Sequence, residues 1–213
     1  MTVVAIDGPA GAGKSTVARA VAERMGFEFL DTGAMYRAVA LEILRRGVDP
    51  ADAVSVGRIA SDIDLRVEGD RVLIDAEDVS SEIRSAEVTR AVSVVSKHPE
   101  VRTQMVALQR DVAAGKDVVV EGRDIGSVVF PDADVKIYLT ASIDERARRR
   151  TDQLALDRER LAEIRSDLRR RDRVDSTRLE SPLTRADDAV EVESTGRTVE
   201  QVVDEIEVLV SGP

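Results

Sequence analysis

The sequence predicts an α/β fold: a doubly wound, five-stranded parallel sheet with a phosphate-binding loop (P-loop), a small inserted β-hairpin plus helices unit, and an arginine-rich helical lid. Three observations predict it. Five short apolar runs, at residues 3–6, 27–30, 118–120, 135–139 and 190–192, read as buried strands, and most are followed by helical periodicity. Gly8-Pro9-Ala10-Gly11-Ala12-Gly13-Lys14-Ser15 fits G-x-x-x-x-G-K-[ST] between the first run and a helix, which is where that loop has to sit. The alternation of strand and helix is broken once, at residues 61–113, by a segment that pairs with itself.

Each element has its own local reason. The helix opening at Lys14 carries Val17, Val21 and Met25 on one face and stops at Gly26. A second, at 33–46, carries Tyr36, Val39, Ile43 and Leu44 and stops at Gly47; Tyr36 reads as core. Residues 64–75 alternate on both sides of Glu68-Gly69-Asp70, a hairpin turning on Gly69. Helices at 86–95 and 99–113 follow, with Pro99 at a first helical position and His98 a turn residue before it. Ser142 with Glu145 three residues on reads as a capping box that opens the arginine-rich helix. The last helix has Val199, Val202, Val203, Ile206, Leu209 and Val210 on one stripe. The expected organisation is a core of 1–60 and 114–213, with the lid at about 145–178, and an inserted unit of 61–113.

Composition narrows the function. A chain of 213 residues with 43% hydrophobic content can bury one domain core. No stretch approaches the roughly 18 apolar residues of a membrane span, and the first apolar run is too short for a signal peptide, so a soluble, cytoplasmic chain is expected. There is no Cys, which excludes disulfides, zinc–thiolate sites and thiol catalysis. A net charge of −10 argues against nucleic acid or an anionic membrane as partner. Yet twelve of the 27 Arg lie at 146–178 against seven carboxylates, so that window is basic inside an acidic chain and suits bidentate phosphate binding.

The loop chemistry points to a nucleoside triphosphate. Glycines let successive backbone N–H groups turn toward phosphates, and the helix N-terminus adds positive charge. Gly8, Pro9, Ala10, Gly11, Ala12, Gly13, Lys14, Ser15 and the adjoining Thr16 form the expected nucleoside-triphosphate-binding set. Lys14 would reach the β/γ-phosphates and the Ser15 hydroxyl would ligate Mg²⁺. The chain contains no Asn, so the Asn-Lys-x-Asp element of guanine-reading switches is absent. The strand at 118–120 ends in Glu121-Gly122-Arg123-Asp124, not in the Asp-Glu pair usual in motor ATPases. A small kinase acting on a small metabolite remains. In the run Arg148-Arg149-Arg150 a helix cannot aim three consecutive side chains at one ligand, and one of them, Arg148, is expected to face the nucleotide with the others solvated.

Three further clusters stand at strand ends or in the lid: Asp31-Thr-Gly-Ala-Met-Tyr-Arg37, Glu121-Gly-Arg-Asp-Ile-Gly126 and Arg171-Asp-Arg-Val-Asp-Ser-Thr-Arg178. With the phosphate loop, the stretch Val128-Val-Phe-Pro-Asp-Ala-Asp-Val-Lys-Ile-Tyr-Leu139 and Ser181-Pro-Leu183, they closely resemble the bacterial cytidylate kinases, from Ile6 almost to the C-terminus. The resemblance implies transfer of the ATP γ-phosphoryl group to the small-molecule partners CMP and dCMP, while the acidic charge argues for no nucleic acid or membrane partner, and a monomer is expected because the one apolar stripe of the last helix is already needed for the sheet. It implies that Thr32 and Arg37 hold the acceptor's phosphate with Arg123 as a second clamp. Ser93, Arg102 and Asp124 would read the cytosine edge, the carboxylate accepting from the exocyclic amine and the arginine donating to the ring carbonyl. Arg171 and Asp175 would contact sugar hydroxyls and phosphates, Arg178 would complete the cluster, and the lid would close over ATP. Lys14, Arg37, Arg123 and Arg171 would offset the repulsion between the two phosphates. The sequence departs from the family at Glu121, where Asp is frequent, and at Ser127, where Thr is common. The alternatives are another small-acceptor kinase, of UMP or shikimate type, and a non-catalytic ATP sensor.

Overall fold

A computed structural model describes residues 1–178 and 182–212. Ser181, part of the resemblance above, lies outside the described residues. The chain divides into two compact units, Met1–Leu30 with Gly115–Pro213, and Asp31–Ala114.

The first unit is the predicted sheet. Its strands are β1 (Val3–Asp7), β2 (Glu28–Asp31), β6 (Val118–Glu121), β7 (Val135–Thr140) and β8 (Val190–Glu193), in the order β2-β6-β1-β7-β8. β1 pairs in parallel with β6 on one side and β7 on the other, Val4 standing between Val119 and Val135, and β7 pairs in parallel with β8. The strand order therefore reverses around β1, and the phosphate loop leaves the carboxyl end of that strand, the crevice where open α/β sheets bind ligands. Strand residues two apart share a face. Val4 and Ile6, Val119, Ile137 and Leu139, and Val192 form one such face, covered by Val17 and Val21 of α1 (Lys14–Met25) and by Val202, Val203 and Ile206 of α8 (Val199–Ser211). α8 opens on a complete capping box, Thr198 with Gln201, and leaves Val199 exposed where the apolar stripe had placed it inward.

The arginine-rich segment is a helical pair, α6 (Ile143–Gln153) and α7 (Leu161–Ser176), around a small core of Ala147, Ile164, Leu168 and the loop residue Ala10. Ser142 caps α6 by accepting from the Glu145 N–H, but the reciprocal half of the expected box is not made. The Ser142 N–H donates to Thr195 Oγ1, and the Glu145 carboxylate takes Arg148 and Arg149 instead. No described helix is long and apolar enough to cross a membrane.

The second unit contains α2 (Thr32–Arg45), α3 (Ala53–Asp62), the antiparallel strands β3 (Leu65–Glu68), β4 (Arg71–Ile74) and β5 (Glu77–Asp78), α4 (Ala86–Val95) and α5 (Pro99–Ala113). The hairpin turns as expected, with Glu68 opposite Arg71 and Gly69 at φ 58. The third strand was not legible, because the turn into it uses Asp75 and Ala76 at positive φ, and Ala is no signal for such a turn. The unit starts at residue 31, not 61, because α2 packs against α4, α3 and the hairpin. α3 had no counterpart in the sequence reading.

Candidate active site

Gly8 opens the phosphate loop at φ 147, and a Cβ there would stand 2.0 Å from the Leu139 carbonyl oxygen of β7. Close packing of loop on strand therefore demands glycine. α1 begins at Lys14 with Gly13 as N-cap, which has no side chain to cap the first-turn N–H groups, and those groups suit an anion. Four loop carbonyls are pinned by cationic side chains. Arg123 Nη1 donates to Gly8 O (3.0 Å), Lys14 Nζ to Pro9 O (3.1 Å), Arg146 Nη1 to Ala10 O (3.1 Å) and Arg149 Nη1 to Ala12 O (3.0 Å). Ser194 Oγ also reaches Ala12 O. A loop whose carbonyls are tied up this way is rigid, and its surroundings are positively charged.

Lys14 is 6% exposed. Burial pushes its ammonium down to about 7, Arg123 pushes the same way, and Glu121, Asp7 and Asp175 oppose the shift. Burial pushes the Asp7 carboxyl up to about 6, against two backbone N–H bonds from Gly126 and Ile125. The Arg171 guanidinium makes no hydrogen bond among the described residues, and its pKa is lowered by burial and then by neighbouring Arg150, so two cations stand together. Arg123 Nε donates to Asp175 Oδ2 at 3.0 Å, and Arg178 Nε donates to the Asp175 carbonyl at 3.3 Å. Asp124, next to Arg123, and Glu121, two residues before it, are both buried. Ser15 and Thr16, on the first turn of α1, are exposed.

In the second unit Thr32 is buried at the start of α2, whose N-cap is Asp31 accepting from the Ala34 N–H at 2.9 Å. Arg37 Nη1 donates to Thr89 Oγ1 on α4 at 2.7 Å. Ser93 lies four residues beyond Thr89, one turn along the same face of α4. Arg102 of α5 is 5% exposed, and its guanidinium sits 5.6 Å over the Tyr36 ring. Tyr36 is core, as expected, and is also the platform for that arginine. His98 is the N-cap position of α5, with Nε2 2.8 Å from Pro50 O.

One expectation is corrected. Arg148 is exposed and paired with Glu145 and Asp152, so it does not face the loop. Arg149, one residue on, reaches Ala12 O and both Ser194 Oγ and Ser194 O, while Arg146 joins Ala10 O to Asp172 of α7. On a helix 146 and 149 share a face and 148 does not. That phase was available in the sequence; which face turned inward was not. Asp7 was also missed, although a carboxylate closing an otherwise apolar buried strand is itself a signal.

The family model for cytidylate kinase matches residues 4–211. A cytidylate kinase of Mycolicibacterium paratuberculosis is 54% identical over 98% of this chain and 94% of its own length. One from Pelotomaculum thermopropionicum is 50% identical over 94% of this chain and 92% of its own. Among solved structures, a gluconokinase from Sinorhizobium meliloti superposes with a TM-score of 0.51 at 15% identity, covering 99% of this chain and 91% of that one, a likeness of fold alone.

Proposed function

The chain belongs to the cytidylate kinase family, and on that premise we propose that it transfers the γ-phosphoryl group of ATP to CMP and dCMP, giving CDP and dCDP. The observation that carries the phosphoryl-transfer reading is the loop itself: a buried Lys14 between pinned carbonyls, with Arg123, Arg150 and Arg171 gathered in the same unit. The family match supplies the acceptor.

An acceptor monophosphate is largely ionised at pH 7, so its oxygen attacks without a strong general base, and the difficulty is repulsion between two anions. Lys14 and Arg171 neutralise the donor, Thr32 and Arg37 hold the acceptor phosphate, and Arg123 serves as the second clamp. Ser93, Arg102 and Asp124 read the cytosine edge, while Asp175 and Arg178 shape the sugar and phosphate contacts. Mg²⁺, when bound, neutralises charge on the phosphate oxygens. The group of this chain that would hold it is the exposed Ser15 hydroxyl. No cluster of three carboxylates or imidazoles among the described residues could hold a metal unaided, which fits an ion that keeps its waters and takes its other ligands from phosphate. In this reading the chain works as a monomer, since the apolar face of α8 is covered by its own sheet.

The test is ADP production with CMP, dCMP, UMP, AMP or shikimate offered singly. CMP and dCMP are expected to exceed the others on the order of 10²-fold in kcat/KM, because a site built to pair with a polar edge rejects the wrong one. Activity with UMP alone would discard the base-reading scheme and keep the fold. ATP binding without turnover of any acceptor would make the chain a sensor.

Lys14 adds a pH signature. Burial holds the pKa of its ammonium down to about 7, so the neutral amine predominates at pH 8, and bound phosphates favour the charged form. Nucleotide binding at pH 8 is therefore expected to take up close to one proton, read by calorimetry in buffers of different ionisation heat. Lys14→Met should abolish the uptake. No uptake by the wild type would mean that Lys14 is already charged when the loop is empty.

A further inference from the structure

We propose that Asp7 is a positioning residue for the acceptor: it anchors the turn that carries Arg123 and Asp124, and so fixes where these two groups stand. The proposal rests on the kinase reading above. Asp7 closes β1 and is 5% exposed. Its Oδ1 accepts from the Ile125 N–H and its Oδ2 from the Gly126 N–H, both at 2.8 Å, across 118 and 119 residues of sequence. Those two amides open a five-residue π-type turn, Ile125–Val129, closed by Val129 N–H to Asp124 O and Phe130 N–H to Ile125 O. The leading N–H groups of a helical turn have no partner within it, and a carboxylate is the natural acceptor there. Such wide turns are rare and concentrate at functional sites.

The consequence reaches both proposed acceptor contacts. Asp124 directly precedes the anchored amides, and Arg123 precedes it, with its guanidinium between Gly8 O and Asp175. The same strand end therefore holds the first glycine of the donor loop and, through Asp7, the turn bearing the acceptor groups. Burying a carboxylate is costly unless its bonds are made, and here both oxygens are used on one short turn.

Asp7→Asn keeps the shape but turns an NH₂ group toward one of the two N–H donors, and Asp7→Ala removes both acceptors. Both variants would be assayed as folded protein, with thermal unfolding to measure the folded fraction. The KM for CMP is expected to rise about tenfold in Asp7→Asn and further in Asp7→Ala, with the KM for ATP within about twofold, and the preference for CMP over UMP should narrow. Amide exchange at residues 125 and 126 should accelerate by about tenfold in Asp7→Asn. A lower kcat with both KM values unchanged, in proportion to folded protein lost, would make Asp7 structural only and overturn the proposal. A rise in the KM for ATP alone would assign it to the donor and overturn it too, as would unchanged exchange at 125 and 126. The wild type measured alongside separates the two questions: a wild type inert toward CMP sinks the acceptor reading, whereas an active wild type with unaltered variants sinks only the role of Asp7.

Discussion

Lys14→Met is expected to lower kcat by about 10²–10⁵, the range seen when a charge-stabilising group is removed from a phosphoryl-transfer or oxyanion site. Methionine preserves the stem's length and its burial, so the loop keeps its packing while the charge disappears. The buried ammonium is held by the Pro9 carbonyl at 3.1 Å and destabilised by burial and by Arg123, so its loss costs the folded chain little. Stability equal to or above that of the wild type is therefore expected beside the loss of turnover. That combination separates chemistry from folding. Lys14→Arg is not expected to rescue, because a planar fork cannot occupy the place of a compact ammonium against Pro9. Steady-state turnover with saturating CMP and ATP, checked against thermal unfolding, decides the matter. Turnover within tenfold of the wild type would remove Lys14 from the reaction.

Gly8→Ala is expected to be the most damaging small substitution for stability. Its Cβ would lie 2.0 Å from the Leu139 oxygen, a backbone atom of a strand that is paired with β1 at Asp7 opposite Tyr138. The strand cannot withdraw without breaking that pairing, and φ 147 is strained for any residue with a Cβ. Backbone strain and overpacking together amount to roughly 3–5 kcal/mol. For a chain of this length that corresponds to a Tm lower by about 6–20 °C, with nucleotide affinity falling in parallel because Arg123 and the loop share the Gly8 carbonyl. A Tm within about two degrees of the wild type would show that β7 has room to move, and that close packing is not why glycine stands there.

Much of the donor half was legible because its signals are local. The strand–loop–helix around Lys14 spans a few residues with fixed spacing, and the stops at Gly26 and Gly47 follow from backbone freedom at single positions. The helices at 86–95 and 99–113 were placed to the residue by periodicity and by Pro99. Where sequence reasoning failed, a competing partner had intervened. Glu145 had the right spacing for a capping box, but two arginines took its carboxylate and Thr195 took the Ser142 N–H from 53 residues away. Arg148 had the right residue type for the nucleotide, but its helix turned 146 and 149 to the loop. The unit at 31–114 began earlier than composition suggested, because packing of α2 on α4 leaves no mark in either helix taken alone.

The sequence by itself determined the fold class, the phosphate loop and the set of charged residues from which any active site here must be drawn. All three rest on spacings within one element, where geometry repeats every 2 or 3.6 residues. Only the tertiary structure decided which charges meet. Asp7 reaches Ile125, Arg123 reaches Asp175, and Arg149 reaches Ser194, over separations of 118, 52 and 45 residues. Those distances are closed by sheet register and helix phase, and no spacing rule links one guanidinium to one distant acceptor when 27 arginines are available.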